Sequence, residues 1–77
     1  MIAGVVIETL PGAAPRVGER LAALPGISVE GGDGQSRLAT VWEAADGSDM
    51  EARARSLLDQ DAEIVGVFPT FLGDETD

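Results

Sequence analysis

Cysteine, histidine, lysine and tyrosine are all missing from this 77-residue chain, and each absence closes a route to chemistry. Without cysteine there is no disulfide staple and no thiolate nucleophile, and the composition fits a reducing compartment. Without histidine no side chain titrates near neutral pH by default, and Ser28, Ser36, Ser48 and Ser56 cannot gain an imidazole partner. Without lysine no Schiff base can form, and the soft metal ligands are gone with the thiols and imidazoles. Carboxylates abound, yet nothing in their spacing singles out an acid–base pair. The expectation is a protein that is not an enzyme and that carries no metal and no cofactor.

Long apolar runs are also lacking. The opening MIAGVVIETL has no basic residue and too short an apolar core for a signal peptide. A membrane span needs about 20 apolar residues. The expectations are a cytoplasmic location and no membrane insertion. Positive charge is scarce: 14 acidic residues face five arginines, for a net charge of -9. Such a chain repels phosphate, so nucleic acid is an unfavourable partner and a cationic one is favoured.

What is present reads as one small folded unit, residues 1–77, with a short acidic tail at 73–77 expected to fray. The hydrophobic fraction of 44% is normal for a globular protein. A chain this short buries only roughly 60% of its unfolded surface. Residues 3–10, AGVVIETL, read as a strand that ends at Pro11-Gly12. Pro15 is suited to a helix first turn, and Val17, Leu21 and Leu24 share one helical face before Pro25-Gly26, giving a helix near 15–24. ISVE at 27–30, a Gly31-Gly32-Asp33-Gly34 turn and SRLATVWEA at 36–44 read as a hairpin. A second helix near 49–60 is expected behind a Ser48–Glu51 capping box, with Met50, Ala54, Leu57 and Leu58 as its apolar stripe. EIVGVFPTFL at 63–72 closes the pattern, and Pro69 puts that strand at a sheet edge or at a bulge.

The order β-α-β-β-α-β in two βαβ halves is the mark of an α+β, ferredoxin-like fold, with a four-stranded antiparallel sheet and two helices on one face. The other face is then open. Alternation points Val5, Ile7, Leu38, Thr40, Trp42, Val65 and Val67 inward. It sends Gly4, Val6, Glu8, Ala39, Val41, Glu43, Gly66, Phe68 and Thr70 outward. The outer face is thus apolar at its centre, with Val6, Ala39, Val41, Gly66 and Phe68. Glu8 and Glu43 rim it, and Glu30 is a third candidate. An exposed apolar sheet face commonly has a use.

The Gly31–Gly34 segment is a poor phosphate loop. It joins two strands, lacks the Walker pattern and carries Asp33, which would repel an anion. The first loop, LPGAAP, has no CxxC for a soft metal.

The segments GVVIETLPG, RLAALPGISV, SRLATVWEA and EIVGVFPTFLGDE together resemble the NapD family. The resemblance covers nearly the whole chain. It rests on segment order and length, on the L-x-x-[LF]-P-G-[IC]-x-V turn from Leu21 to Val29, and on Glu43 closing the third strand. It implies a cytoplasmic assembly chaperone of ferredoxin-like fold, a monomer or weak dimer. Its partner would be the twin-arginine signal peptide of the periplasmic nitrate reductase catalytic subunit, whose export it delays until the molybdenum cofactor is inserted. On this reading Val6, Glu8, Ala39, Val41, Glu43, Gly66 and Phe68 take the peptide. Four residues depart from the family pattern. Phe71-Leu72 stand where Tyr-His is frequent, Glu63 where Gly is frequent, and Trp42 where a smaller aliphatic is usual. A ligand-sensing ACT or Lrp-type effector module shares the same element order. An acylphosphatase-like enzyme also does, but would want an arginine in its first loop, where only Arg16 is near.

Overall fold

The computed structural model describes residues 1–73, of which 71–73 are described by backbone alone. Six elements follow in the expected order: β1 (Ile2–Thr9), α1 (Ala14–Ala22), β2 (Ile27–Gly32), β3 (Arg37–Glu43), α2 (Gly47–Gln60) and β4 (Ile64–Gly73). The strands form one antiparallel sheet in the order β2-β3-β1-β4. Asp74–Asp77, most of the expected acidic tail, lie outside the described residues.

The core sits on one face of this sheet. Ala3, Val5 and Ile7 of β1 and Leu38 and Trp42 of β3 are buried, and they join Val17 and Leu21 of α1 and Met50 of α2 in one cluster. Both helices therefore cover the same face. Trp42 is fully buried. Its place opposite Ala3, in the β1–β3 register, gives the indole room that a larger neighbour would take. The indole Nε1–H donates to Thr40 Oγ1 at 2.9 Å, and that hydroxyl donates to the Val5 carbonyl at 2.7 Å, so these polar atoms are satisfied within the core.

Four details differ from the sequence expectations. Leu24 lies beyond α1, which stops at Ala22, and is 39% exposed. Helix α2 starts two residues early: Asp46 is its N-cap, accepting from the Asp49 N–H at 2.9 Å, while Asp49 accepts from the Ala45 N–H at 3.0 Å. Ser48 is inside the helix, because Asp46 takes the N-cap role ahead of it and Asp49 closes the box back onto the Ala45 N–H. Of the proposed α2 stripe, Met50 is buried, Ala54 and Leu57 are half-buried against the core, and Leu58 faces outward.

The fourth difference is in β4. Val65 was expected inward and is 52% exposed. The register runs Thr9↔Ile64 and then Glu8↔Gly66, so Val65 is the extra residue of a bulge and Ile64 takes the core position. A second shift, between Val5↔Pro69 and Gly4↔Phe71, leaves Thr70 as the extra residue beside Pro69. β4 is an edge strand, and there a proline's missing N–H costs no interior ladder bond. The turn into β2 demands glycine at Gly26, where φ is +79° and a Cβ would lie 3.0 Å from the Glu43 carbonyl oxygen.

Candidate functional site

The strand register lays out the open face row by row. Ile2 stands opposite Glu43. Gly4 stands between Val41 on one side and Phe71 on the other, with Ser28 beyond Val41. Val6 lies between Ala39 and Phe68, and Glu8 lies between Arg37 and Gly66. All seven predicted site residues therefore fall on this face. Val6 and Val41 are half-buried by their neighbours, Ala39 is exposed, and Phe68 is 52% exposed. No element of the described residues packs over them, because both helices are committed to the other side.

The acids are less of a ring than alternation alone implied. Glu8 and Glu43 are separated by six strand positions, about 20 Å at 3.3 Å per residue, so they occupy opposite ends of the face. Glu8 also has a cross-strand base, Arg37. Arg37 was not among the predicted site residues, although placing Leu38 inward requires Arg37 outward. Ile2 and Ser28 were missed as well, and the same parity would have found Ile2. Glu30 sits at a β2 bulge and accepts from Ser28 Oγ at 2.5 Å, which holds it toward this face. That bulge breaks the alternation, so Glu30 could not be assigned from sequence.

The hairpin turn is structural, as expected. In the β2–β3 hairpin the Asp33 carboxylate accepts from the backbone N–H groups of Gln35, Ser36 and Arg37 at 2.8, 3.0 and 3.1 Å. Those bonds hold the Asp33 carboxyl below its ordinary pKa. The amides that could cradle a phosphate are thus filled by the loop's own carboxylate. Arg16, the arginine an acylphosphatase-like reading would need, donates its Nε to Glu63 at 2.7 Å and also gives Glu63 its terminal nitrogen.

Glu63 joins a four-member cluster. Arg20 donates to Asp61 at 2.9 and 3.0 Å and to Glu63 at 3.0 Å, which ties α1 to the α2–β4 junction. Glu63 is the centre of this network, bonded by both arginines. Hydrogen bonds from Arg16, and then from Arg20, hold the Glu63 carboxyl below its ordinary value of 4.5. A depressed folded-state pKa contributes stability that is present above 4.5 and lost as the pH falls through the folded value. Glu63→Gln is expected to lower the thermal midpoint at pH 6–7, by an amount that shrinks as the pH falls below 4.5. A midpoint difference that does not shrink on acidification would show that the carboxylate's charge is not what matters.

With this geometry in place, comparison with known proteins narrows the reading. The family model described as NapD protein matches residues 1–70. The chain belongs to the NapD family. In fold, this NapD-family chain is similar to a solved structure described as the solution structure of the E. coli Tat proofreading chaperone protein NapD. The TM-score is 0.77 and the identity 20%, over 97% of this chain and 79% of that one. No curated protein matches the sequence. No helix among the described residues is long and apolar enough to cross a membrane.

Proposed function

We propose that residues 1–77 act as one NapD-type assembly chaperone in the cytoplasm. It binds the twin-arginine signal peptide of the periplasmic nitrate reductase catalytic subunit and delays export until the molybdenum cofactor is inserted. The chain has no catalytic role in this scheme and works as a monomer or weak dimer. The carrying observation is the sheet face left open beside a complete core, apolar at Val6, Val41 and Phe68 and acidic at its ends. A twin-arginine peptide is basic at one end and apolar along its middle, and that pattern complements this face.

The register favours one acid over the other for this role. Glu8 shares its row with Arg37, whereas Glu43 stands opposite an isoleucine. Glu43 is therefore the acid better suited to receive the peptide's arginines, and Glu8 bounds the apolar end. Burying roughly 600 Å² of apolar surface gives about 15 kcal/mol gross at about 25 cal/mol per Å². Ordering a flexible peptide and losing free tumbling consume much of that. A Kd between about 1 μM and 1 nM remains, about -8 to -12 kcal/mol.

Calorimetric titration of the synthetic signal peptide into the purified chain is the direct test. A one-to-one complex in that range is expected. Absence of binding at high micromolar concentrations would overturn the reading. A stable dimer that shifts with a free amino acid would favour the effector-module alternative.

A further inference from the structure

Gly66 does not owe its place to backbone conformation, since only Gly12, Gly26 and Gly34 have positive φ among the described residues. It lies inside a strand, where glycine is ordinarily a cost because it packs nothing and loses much freedom on folding. It is nonetheless buried, and what covers it is Phe68. A Cβ placed on residue 66 would sit 2.5 Å from Cε2 and 2.7 Å from Cζ of the Phe68 ring, but an unstrained 3.5 Å from the Glu8 Cβ. The ring thus lies folded back along its own strand, in a slot that exists because residue 66 has no side chain. Phe68 is still 52% exposed, so one side of the ring is on the sheet and the other faces solvent.

The direction of the fold-back matters. Phe68 belongs to the Val6 row and Gly66 to the Glu8 row. The ring is drawn toward Glu8, which leaves the Gly4–Val41 row clear of this ring.

We propose that Gly66 is a positioning residue for ligand docking: its slot keeps the Phe68 ring flat, so that ring and valines form one level floor for the apolar stretch of a bound peptide. This rests on the peptide-binding reading above. In Gly66→Ala the ring has to leave the slot and stand up from the sheet. The obstructing atoms are the far end of a side chain free to rotate, so the variant is expected to fold.

The test has a ligand-free arm and a binding arm. By NMR, the Gly66 Hα protons are expected to show upfield ring-current shifts and cross-peaks to the Phe68 ring, and Phe68→Leu should abolish both. Lack of these signals in the wild-type chain overturns the slot. In calorimetry with the synthetic signal peptide, Gly66→Ala is expected to weaken binding about tenfold in the wild-type background, within the range of coupling between contacting residues. It should have no effect in the Phe68→Ala background, where no ring needs the slot. An equal loss in both backgrounds, or no loss in either, overturns the positioning role while leaving peptide binding intact. If the ring signals are present and the wild-type chain takes no peptide, the functional reading has failed and the docking role falls with it.

Discussion

Trp42→Ala is expected to cost about 3–5 kcal/mol and to leave the chain on the verge of unfolding at room temperature. The indole is the largest fully buried side chain, and it sits on the central pair of strands between Ala3 and Ile27. Deleting it removes apolar contact and opens a void that the sheet cannot close, because its neighbours on both strands are held in register by ladder hydrogen bonds. A domain of this length has a total stability of about 4–12 kcal/mol at about 0.05–0.15 kcal/mol per residue, so the loss consumes a large share of it. Urea denaturation followed by far-UV circular dichroism is the measurement. Trp42→Phe should be milder, since most of the volume stays. Thr40→Val should cost about 1–3 kcal/mol although it is nearly isosteric, because it strips the indole N–H of its acceptor inside the core. A loss below 1 kcal/mol for Trp42→Ala would mean the core is not organised around this side chain.

Val6→Asp is expected to weaken signal-peptide binding about a hundredfold or more, the largest effect of any change on the open face. Val6 is at the middle of β1, a strand paired on both sides, and lies between Ala39 and Phe68. A carboxylate there loses the apolar contact of a valine and must be dehydrated when the peptide covers it, each worth about 1–3 kcal/mol. Because Val6 is only half-buried in the free chain, the variant should still fold. Phe68→Ala should cost about tenfold, by loss of the ring surface. Glu8→Gln and Glu43→Gln should each cost little, since exposed ion pairs contribute about 0–1 kcal/mol. Only those two should flatten the salt dependence of the affinity, with Glu43 the more effective because Glu8 has Arg37 opposite it on the neighbouring strand. Titrations at several salt concentrations check the ranking. If Val6→Asp binds like wild type, the peptide sits elsewhere, with the exposed backbone edge of β2 the next place to look.

Much of the architecture was legible because it depends on local periodicity. Alternation in AGVVIETL and SRLATVWEA assigned the inner and outer faces of residues 4–8 of β1 and 38–43 of β3 correctly, since neither strand carries a bulge in their mutual pairing. The i, i+4 spacing of Val17 and Leu21 placed the buried side of α1. Alternation failed in β4 at Val65, where a bulge inserts one residue and reverses parity up to the next regular pair. Nothing local marks that bulge. It lies where β4 joins β1 directly after a turn that Asp61, Glu63 and the two arginines of α1 hold in place.

By itself, then, the sequence determined the element order, the antiparallel sheet with one covered face, and which residues of β1 and β3 look outward. These follow from side-chain periods of two and 3.6 that hold wherever the strand or helix is regular. Only the tertiary structure decided that Glu8 and Glu43 stand about 20 Å apart, a separation read at about 3.3 Å per strand residue, with an arginine beside the first. It also decided that Ile64 and not Val65 enters the core, and that Gly66 makes room for the Phe68 ring. Each of these depends on cross-strand register or on contact between side chains, and a single chain's periodicity carries no information about which partner residue it will face.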